Sequence, residues 1–408
     1  MNNLETTADR RVGGAAALMV LFLTTVVQSL TSMAALMVPV LAPRMAVDLG
    51  LPPATVGYYI ALVFLAAIPA TVLGGDAVIR FGPIRVSQAG LVICAIGLAL
   101  LCVGSPWLCL LGALLIGFGY GPVTPASSHM LSLSTPQRNL GLVFSVKQTG
   151  VPLGGALAGF FAPMLEASVG WQGALLAVAC LLCCAATQSL RTPHDDDRIR
   201  SHTLGLGVFR ELARLLARSP SLRTLAFASF CFSTFQLSLT TYLVTYLHET
   251  FGYTLVAAGL TMSAAQASGV IGRILWGIAA DRWLGSVRML AALAVAMAAG
   301  AAVLAGMPAT WGPWPLMAVV CIVSACALGW NGTFLAEVAR QAPSGAAGRA
   351  TGAILSCTFA GVVVGPPLFG IVASLTGGYR LAFAVIAAGP AIAAIALYLK
   401  RSTFRTST

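Results

Sequence analysis

Lys147 and Arg273 each interrupt a long apolar run, FSVKQTGVPLGG around the first and SGVIGRILWG around the second. A basic group at the centre of a membrane helix costs about 2.5–3.5 kcal/mol, so such a group marks a functional position with a partner of opposite charge. A guanidinium presents a planar two-pronged donor matched to a carboxylate, and an ammonium presents a compact point charge. The chemistry that suits this pair is the binding of a small anion. Both residues also lie roughly six to eight residues, about 9–12 Å, from the cytoplasmic ends of their helices. Snorkelling of their heads to that interface is therefore the competing reading.

The acidic residues supply no counter-ion at mid-membrane. Glu5, Asp9, Asp195, Asp196, Asp197 and Glu211 fall in cytoplasmic segments, and Asp48, Asp76, Glu166, Glu249, Asp281 and Glu337 fall near helix ends or loops. The resulting site is electropositive, which excludes a cationic substrate. A coupling proton, where one is used, would have to travel on the anion itself, on Lys147 or on His129 in the fourth span. His129 also suits a plain helix-end hydrogen bond. No paired intramembrane carboxylates, metal-spaced His cluster or nucleophile–base pair is present, so the chain is not read as an enzyme and no metal or cofactor is expected. The ten cysteines all fall inside apolar spans, where Cys packs as a small apolar residue. The absence of a Walker-type loop excludes ATP as the driving force on this chain.

The elements that must hold these residues are membrane helices. Of 408 residues, 58% are hydrophobic and only 9% are charged, against about 25% charged in a soluble domain. A helix needs roughly 20 apolar residues to cross a hydrocarbon core of about 30 Å. The pattern predicts an all-α membrane protein of twelve transmembrane helices, with spans near 14–42, 52–74, 84–104, 107–133, 140–166, 171–190, 222–248, 255–279, 286–306, 313–339, 347–373 and 379–400. Residues 1–190 form an N-terminal six-helix bundle, 191–221 a cytoplasmic linker and 222–408 a C-terminal six-helix bundle. In the linker Phe209, Leu212, Leu215 and Leu216 share a face while Arg210, Arg214 and Arg218 recur every fourth residue. That pattern suits either a helix lying on the membrane surface or a solvated linker helix. No cleavable signal pattern is seen at MNNLETTADRR.

The net charge of +11 is a topology signal. With a cytoplasmic N-terminus, nineteen of the 23 basic residues lie on the cytoplasmic side and only Arg44 and Arg380 lie outside. The positive-inside rule then places both termini in the cytoplasm of a cell whose inner membrane holds the protein. Nucleic acid is excluded as a partner; membrane lipids, a small anion and a monomeric state are expected.

Internal repetition ties the two bundles together. Gly141, Gly150, Gly154 and Gly159 of the fifth span match Gly352, Gly361, Gly365 and Gly370 of the eleventh at a constant offset of 211. Gln28 and Gln236 occupy comparable positions in the first and seventh spans. Two repeated halves place a binding site at their interface near mid-membrane. The loop after the eighth span, with Gly277, Asp281, Arg282 and Gly285, resembles the signature loop of the major facilitator superfamily, with one extra residue before the last glycine. The loop after the second span keeps Gly75, Arg80 and Gly82 but has Ile79 where the family's acidic residue is expected. The run Gly150, Pro152, Gly154, Gly155, with Gly361, Gly365 and Pro366 in the eleventh span, is similar to an interface-helix motif of the superfamily's antiporters, and equally to a close-packed bent helix.

That resemblance implies the superfamily's pseudo-symmetric fold, with the fifth and eighth helices facing each other. It also implies that Gln28, Gln236 and Asn331 line the pathway, with Tyr120 beside it. Arg273, eight residues before Asp281, resembles the eighth-helix arginine of oxalate/formate and monocarboxylate porters, which engages the substrate carboxylate. The stretch from Gly119 through Gly155 is similar to cyanate-permease-like porters. Ala113 stands where drug/proton antiporters carry an arginine. The resemblance thus implies a secondary transporter of a small anion, most readily an organic carboxylate, working by alternating access as symporter or antiporter. The alternative it leaves open is a proton-coupled exporter of drugs or metabolites.

Overall fold

The computed structural model describes residues 14–135, 140–188, 217–308, 310–342, 347–400 and 404, and every regular element among them is helical. In chain order these are α1 (Gly14–Leu49), α2 (Val56–Phe81), α3 (Pro83–Leu101), α4 (Pro106–Tyr120), α5 (Val123–Ser134), α6 (Leu140–Gln148), α7 (Gly150–Gln188), α8 (Pro220–Phe251), α9 (Leu255–Ala279), α10 (Ser286–Gly306), α11 (Pro313–Gly329), α12 (Asn331–Gln341), α13 (Ala347–Thr376) and α14 (Tyr379–Leu399). The amphipathic stretch expected at residues 209–216 lies outside the described residues.

Among the described residues eleven helical stretches are long and apolar enough to cross a membrane, the longest being Val146–Gln188 with 43 residues. As one rod that stretch would measure about 65 Å, twice a hydrocarbon core. Gly170, with φ 74° and ψ 169°, breaks it into two arms. The second arm begins with Trp171, whose indole donates to Asp48 at the end of α1 (2.7 Å), and Gln172 accepts from Cys102 just beyond α3. Two arms give twelve crossings, in agreement with the sequence pattern. Proline at the first helical turn starts α3, α4, α8 and α11, where its missing N–H costs nothing.

The two signature loops confirm each other. Gly82 ends α2 with φ 84° and ψ 152°, and Gly285 precedes α10 with φ 74° and ψ 152°, a backbone region open chiefly to glycine. The amide of Gly82 bonds the carbonyl four residues back, whereas that of Gly285 bonds Ala280, five residues back. The extra residue noted in the second loop is therefore absorbed as a single π-helical turn, Ala280–Leu284.

Helices α1–α7 and α8–α14 form the two halves. The most enclosed is α8, buried over most of its length, and the middle of α1 is buried on all sides over residues 27–43. Helices apolar or hydroxyl-bearing all round belong in the centre of a bundle. The faces of the molecule can be told apart by loop parity: the near face carries Gly82 and Gly285, and the far face carries Gly50, Gly104, Gly252 and Gly377.

Contacts between the halves gather toward the far face. A Cβ at Gly159 would lie 2.7 Å from the carbonyl of Gly259, and Ser263 Oγ donates to Ala156 (2.7 Å). Further out, the Tyr242 hydroxyl shares its proton between Ala54 O (2.6 Å) in the α1–α2 connection and Pro366 O (3.1 Å) in α13. Gly57 and Gly370 form the socket for that hydroxyl, since a Cβ on either would collide with it. Tyr242 is thus a closing pin rather than a cavity group. Overpacking of this kind costs about 1–3 kcal/mol, so Gly370→Ala is expected to open the far face. A cysteine placed at Ala54 should react roughly ten times faster with an impermeant thiol reagent in the Gly370→Ala background. An unchanged rate would contradict the pin.

Candidate functional site

The site is built where three helices break. The fourth span is interrupted between α4 and α5 after Tyr120, the fifth between α6 and α7 at Thr149, and the tenth between α11 and α12 at Trp330. Irregular backbone at membrane depth survives only where protein or a cavity satisfies its polar groups.

Lys147, in the last turn of α6, is 1% exposed, and its Nζ donates to Gln28 Oε1 at 2.9 Å. Gln28 is fully buried and its Nε2 reaches Ser32 Oγ at 3.4 Å. Gly150 makes the approach possible: a Cβ there would lie 2.9 Å from Thr25 O and 3.0 Å from Gln28 Cβ. The lysine head is therefore turned into the bundle and not toward an interface. The Tyr120 hydroxyl faces Ser32 and Gln28 and lies in the field of Arg273. Its ring is held edge-on to Phe64, 5.7 Å between centroids.

Arg273 spans the two halves. Its Nε donates to Leu328 O in α11 (3.0 Å) and its Nη1 to Gln148 O, across the interface (2.8 Å). The Gln148 carbonyl is available because its normal helical donor would be the amide of residue 152, which is proline and has no N–H. Pro152 of the glycine-rich run thus creates the acceptor that ties Arg273 to Gln148, the residue after Lys147. Ser268 and Trp276 fasten the same face of α9 to Cys321 O and Ala325 O of α11 (2.8 and 2.9 Å). Among the described residues Nη2 of Arg273 has no protein partner, and the residue keeps part of its surface open.

Neither cation has an ion-pair partner among the described residues. The ion pairs among the described residues are Arg44–Glu166 and Arg340–Glu337, both remote from Lys147 and Arg273. Glu337 differs from the sequence expectation in one respect: it lies in the last turns of α12 but is 1% exposed, bonded by Gln341 Nε2 (2.7 Å) and Arg340 (3.3 Å).

The second half presents a neutral version of the same contact. Gly150 packs on Thr25 and Gln28, and Gly361 packs on Phe230 and Ser233, so the packing partner of Gln28 is Ser233 and not Gln236. Ser233 Oγ donates to Thr358 O (2.7 Å), and Thr358 stands 211 residues after Lys147. Gln236 is one turn further along α8, where its Oε1 accepts from Trp330 Nε1 at 2.9 Å. Asn331 is half-buried beside that tryptophan at the start of α12, and His129 is half-buried on α5 toward the near face. The structure therefore brings Lys147, Gln28, Tyr120 and Arg273 together and gathers Gln236 and Asn331 around Trp330. Arg80, Asp281, Arg282 and Gly285 are exposed at the near face, with Gly75, Gly82 and Gly277 half-buried among them. Gly155 and Gly365 are helix-contact positions, a Cβ at the first lying 2.6 Å from Gln266 Nε2 and at the second 2.6 Å from Thr234 O.

Comparison with known proteins places this arrangement. A profile of the Major Facilitator Superfamily matches residues 21–361. A gentisate transporter of Corynebacterium glutamicum is 28% identical over 305 residues, 72% of this chain and 67% of that protein. A probable chloroplastic anion transporter of Oryza sativa subsp. japonica is 27% identical over 237 residues, 53% of this chain and 39% of that one. Among solved structures, a bacterial homolog of the human lysosomal transporter Spinster superposes with a TM-score of 0.76 at 15% identity, over 96% of this chain and 98% of that one. The nucleoside transporter NupG does so with a TM-score of 0.75 at 19% identity, over 95% and 100%. At these identities the structural likeness shows the fold.

Proposed function

This chain belongs to the Major Facilitator Superfamily and is a multi-span membrane transporter, and from that premise we propose that it moves a small organic anion, a carboxylate, by alternating access. The observation that carries the reading is the pair Lys147 and Arg273, the second bonded across the interface between halves to the residue after the first, and neither ion-paired among the described residues. Buried charge is stable only when compensated, and an anion between the two would compensate both while drawing the halves together. The similarity to a gentisate transporter and to a probable anion transporter supports the same class. On this reading the near face, with Arg80, Arg85, Arg282 and Arg288, is cytoplasmic and the membrane is the cell's inner membrane. The exporter reading rested on the glycine-rich run of the fifth span, which helix packing and the release of the Gln148 carbonyl already account for.

A thermal-shift screen of the purified protein tests the proposal. Aromatic and aliphatic monocarboxylates should raise the melting temperature in a saturable manner, because ligands stabilise the state they bind, while the corresponding amides and alcohols should not. Stabilisation by neutral compounds and by no carboxylate would remove the anion reading.

A further inference from the structure

The two cations of the site differ in kind. Arg273 keeps its charge at any accessible pH, and two of its nitrogens are committed to backbone carbonyls, one in each half. Lys147 is a single ammonium with one neutral acceptor, Gln28 Oε1. The helices packed most closely against α6 are α1, α5 and α7, and among the described residues none sets a negative group against it. On α1, Arg44 is paired with Glu166 of α7 and Asp48 is held by Trp171, both at the far face. On α5 the titratable group is His129, toward the near face. Tyr120 of α4 faces the same Gln28, and Arg273 of α9 meets the backbone carbonyl of Gln148, the residue after Lys147. The matching contact in the second half, Ser233 to Thr358, is neutral, so packing of this helix pair does not require a charge.

An amine in such a place has two ways to avoid an uncompensated charge: to hold an anion beside it, or to give up its proton. Resting on the anion reading above, we infer that Lys147 carries a coupling proton. It is an ammonium when the carboxylate lies between it and Arg273, and a neutral amine when the site is empty. In the loading step the amine lone pair takes one proton from the aqueous phase as the anion binds. In the release step the ammonium returns that proton to water on the other side as the anion leaves, and no electrons are transferred. Arg273 is the permanent anchor in both states. Binding of proton and anion is then reciprocal, each raising the affinity for the other, and transport is symport of one proton with each anion.

The experiment uses the full chain in detergent, weakly buffered, with gentisate as probe and a pH-indicator dye as readout. Gentisate is already a monoanion at neutral pH and exchanges no proton of its own on binding. Wild type should take up close to one proton per gentisate bound at the pH where the empty site is neutral. Lys147→Arg should bind gentisate with no proton uptake, since a guanidinium does not titrate. His129→Gln should take up as many protons as wild type. Gentisate binding by wild type without proton uptake anywhere across the neutral range overturns the inference while leaving the anion reading standing. So does uptake that survives in Lys147→Arg and vanishes in His129→Gln. Failure of wild type to bind any carboxylate removes the anion reading itself. If Lys147→Arg does not fold, binding heats of wild type in buffers of different ionisation enthalpy give the proton count alone, and a count of zero has the same consequence.

Discussion

Arg273→Lys is expected to weaken anion binding and uptake into proteoliposomes by about ten- to a hundredfold while leaving the protein folded. A hydrogen bond to a charged group contributes roughly 1.5–3 kcal/mol, and tenfold in affinity corresponds to about 1.4 kcal/mol. Arginine here serves three directions at once: Leu328 O through Nε, Gln148 O through Nη1 and, on the proposal, the substrate through Nη2. A lysine keeps the charge and the helix propensity, but its head is one point on a flexible stem and cannot hold the planar fork across both halves. The loss should therefore appear as weaker anion-induced stabilisation and slower uptake, with the melting temperature of the empty protein lowered by a few °C as a backbone carbonyl loses its donor. Undiminished uptake would remove Arg273 from the site.

Lys147→Met should separate binding from stability by moving them in opposite directions. The empty protein must bury an amine that has one neutral partner and 1% exposure. Removing it relieves that cost, roughly 1–3 kcal/mol, and loses one hydrogen bond to Gln28, about 1 kcal/mol. The apo melting temperature should hold or rise by a few °C at about 2–4 °C per kcal/mol, and the carboxylate-induced shift should disappear. If Lys147 were a structural residue the signs would be reversed: the melting temperature would fall and the ligand-induced shift would persist.

Much of this was legible in the sequence because hydrophobic run length and charge placement are local quantities. The twelve crossings, the paired glycines at offset 211 and the two unusual cations all follow from such counting. The expectation that Lys147 and Arg273 converge has a different source: it comes from the resembled fold, in which the fifth and eighth helices face one another, and counting alone does not give it. What was not legible depends on contacts over 119 and 125 residues of chain, the separations of Lys147 from Gln28 and of Gln148 from Arg273. Pro152 could be read as a bend; that its missing amide frees a carbonyl for an arginine on another helix needed the packing. The Gln28–Gln236 match was off by one turn, because the first and seventh helices are related by an offset of 205 in their contacts with the glycines, not 208. Nothing in the sequence marks Tyr242 among the aromatic residues of the seventh span; the socket made by Gly57 and Gly370 is what makes it a pin at the far face. Glu337 illustrates the opposite limit, a helix-end carboxylate that is nonetheless buried because Arg340 and Gln341 of the same helix fold over it.

The central claim is that one anion sits between Lys147 and Arg273, and the anomalous scattering of bromine can locate it. In crystals grown with 4-bromobenzoate, the bromine peak and the adjoining density should place the carboxylate within hydrogen-bond distance of Lys147 Nζ and Arg273 Nη2. The peak should be lost in Arg273→Ala. A carboxylate bound away from both residues, or a peak that persists unchanged in that variant, would contradict the account.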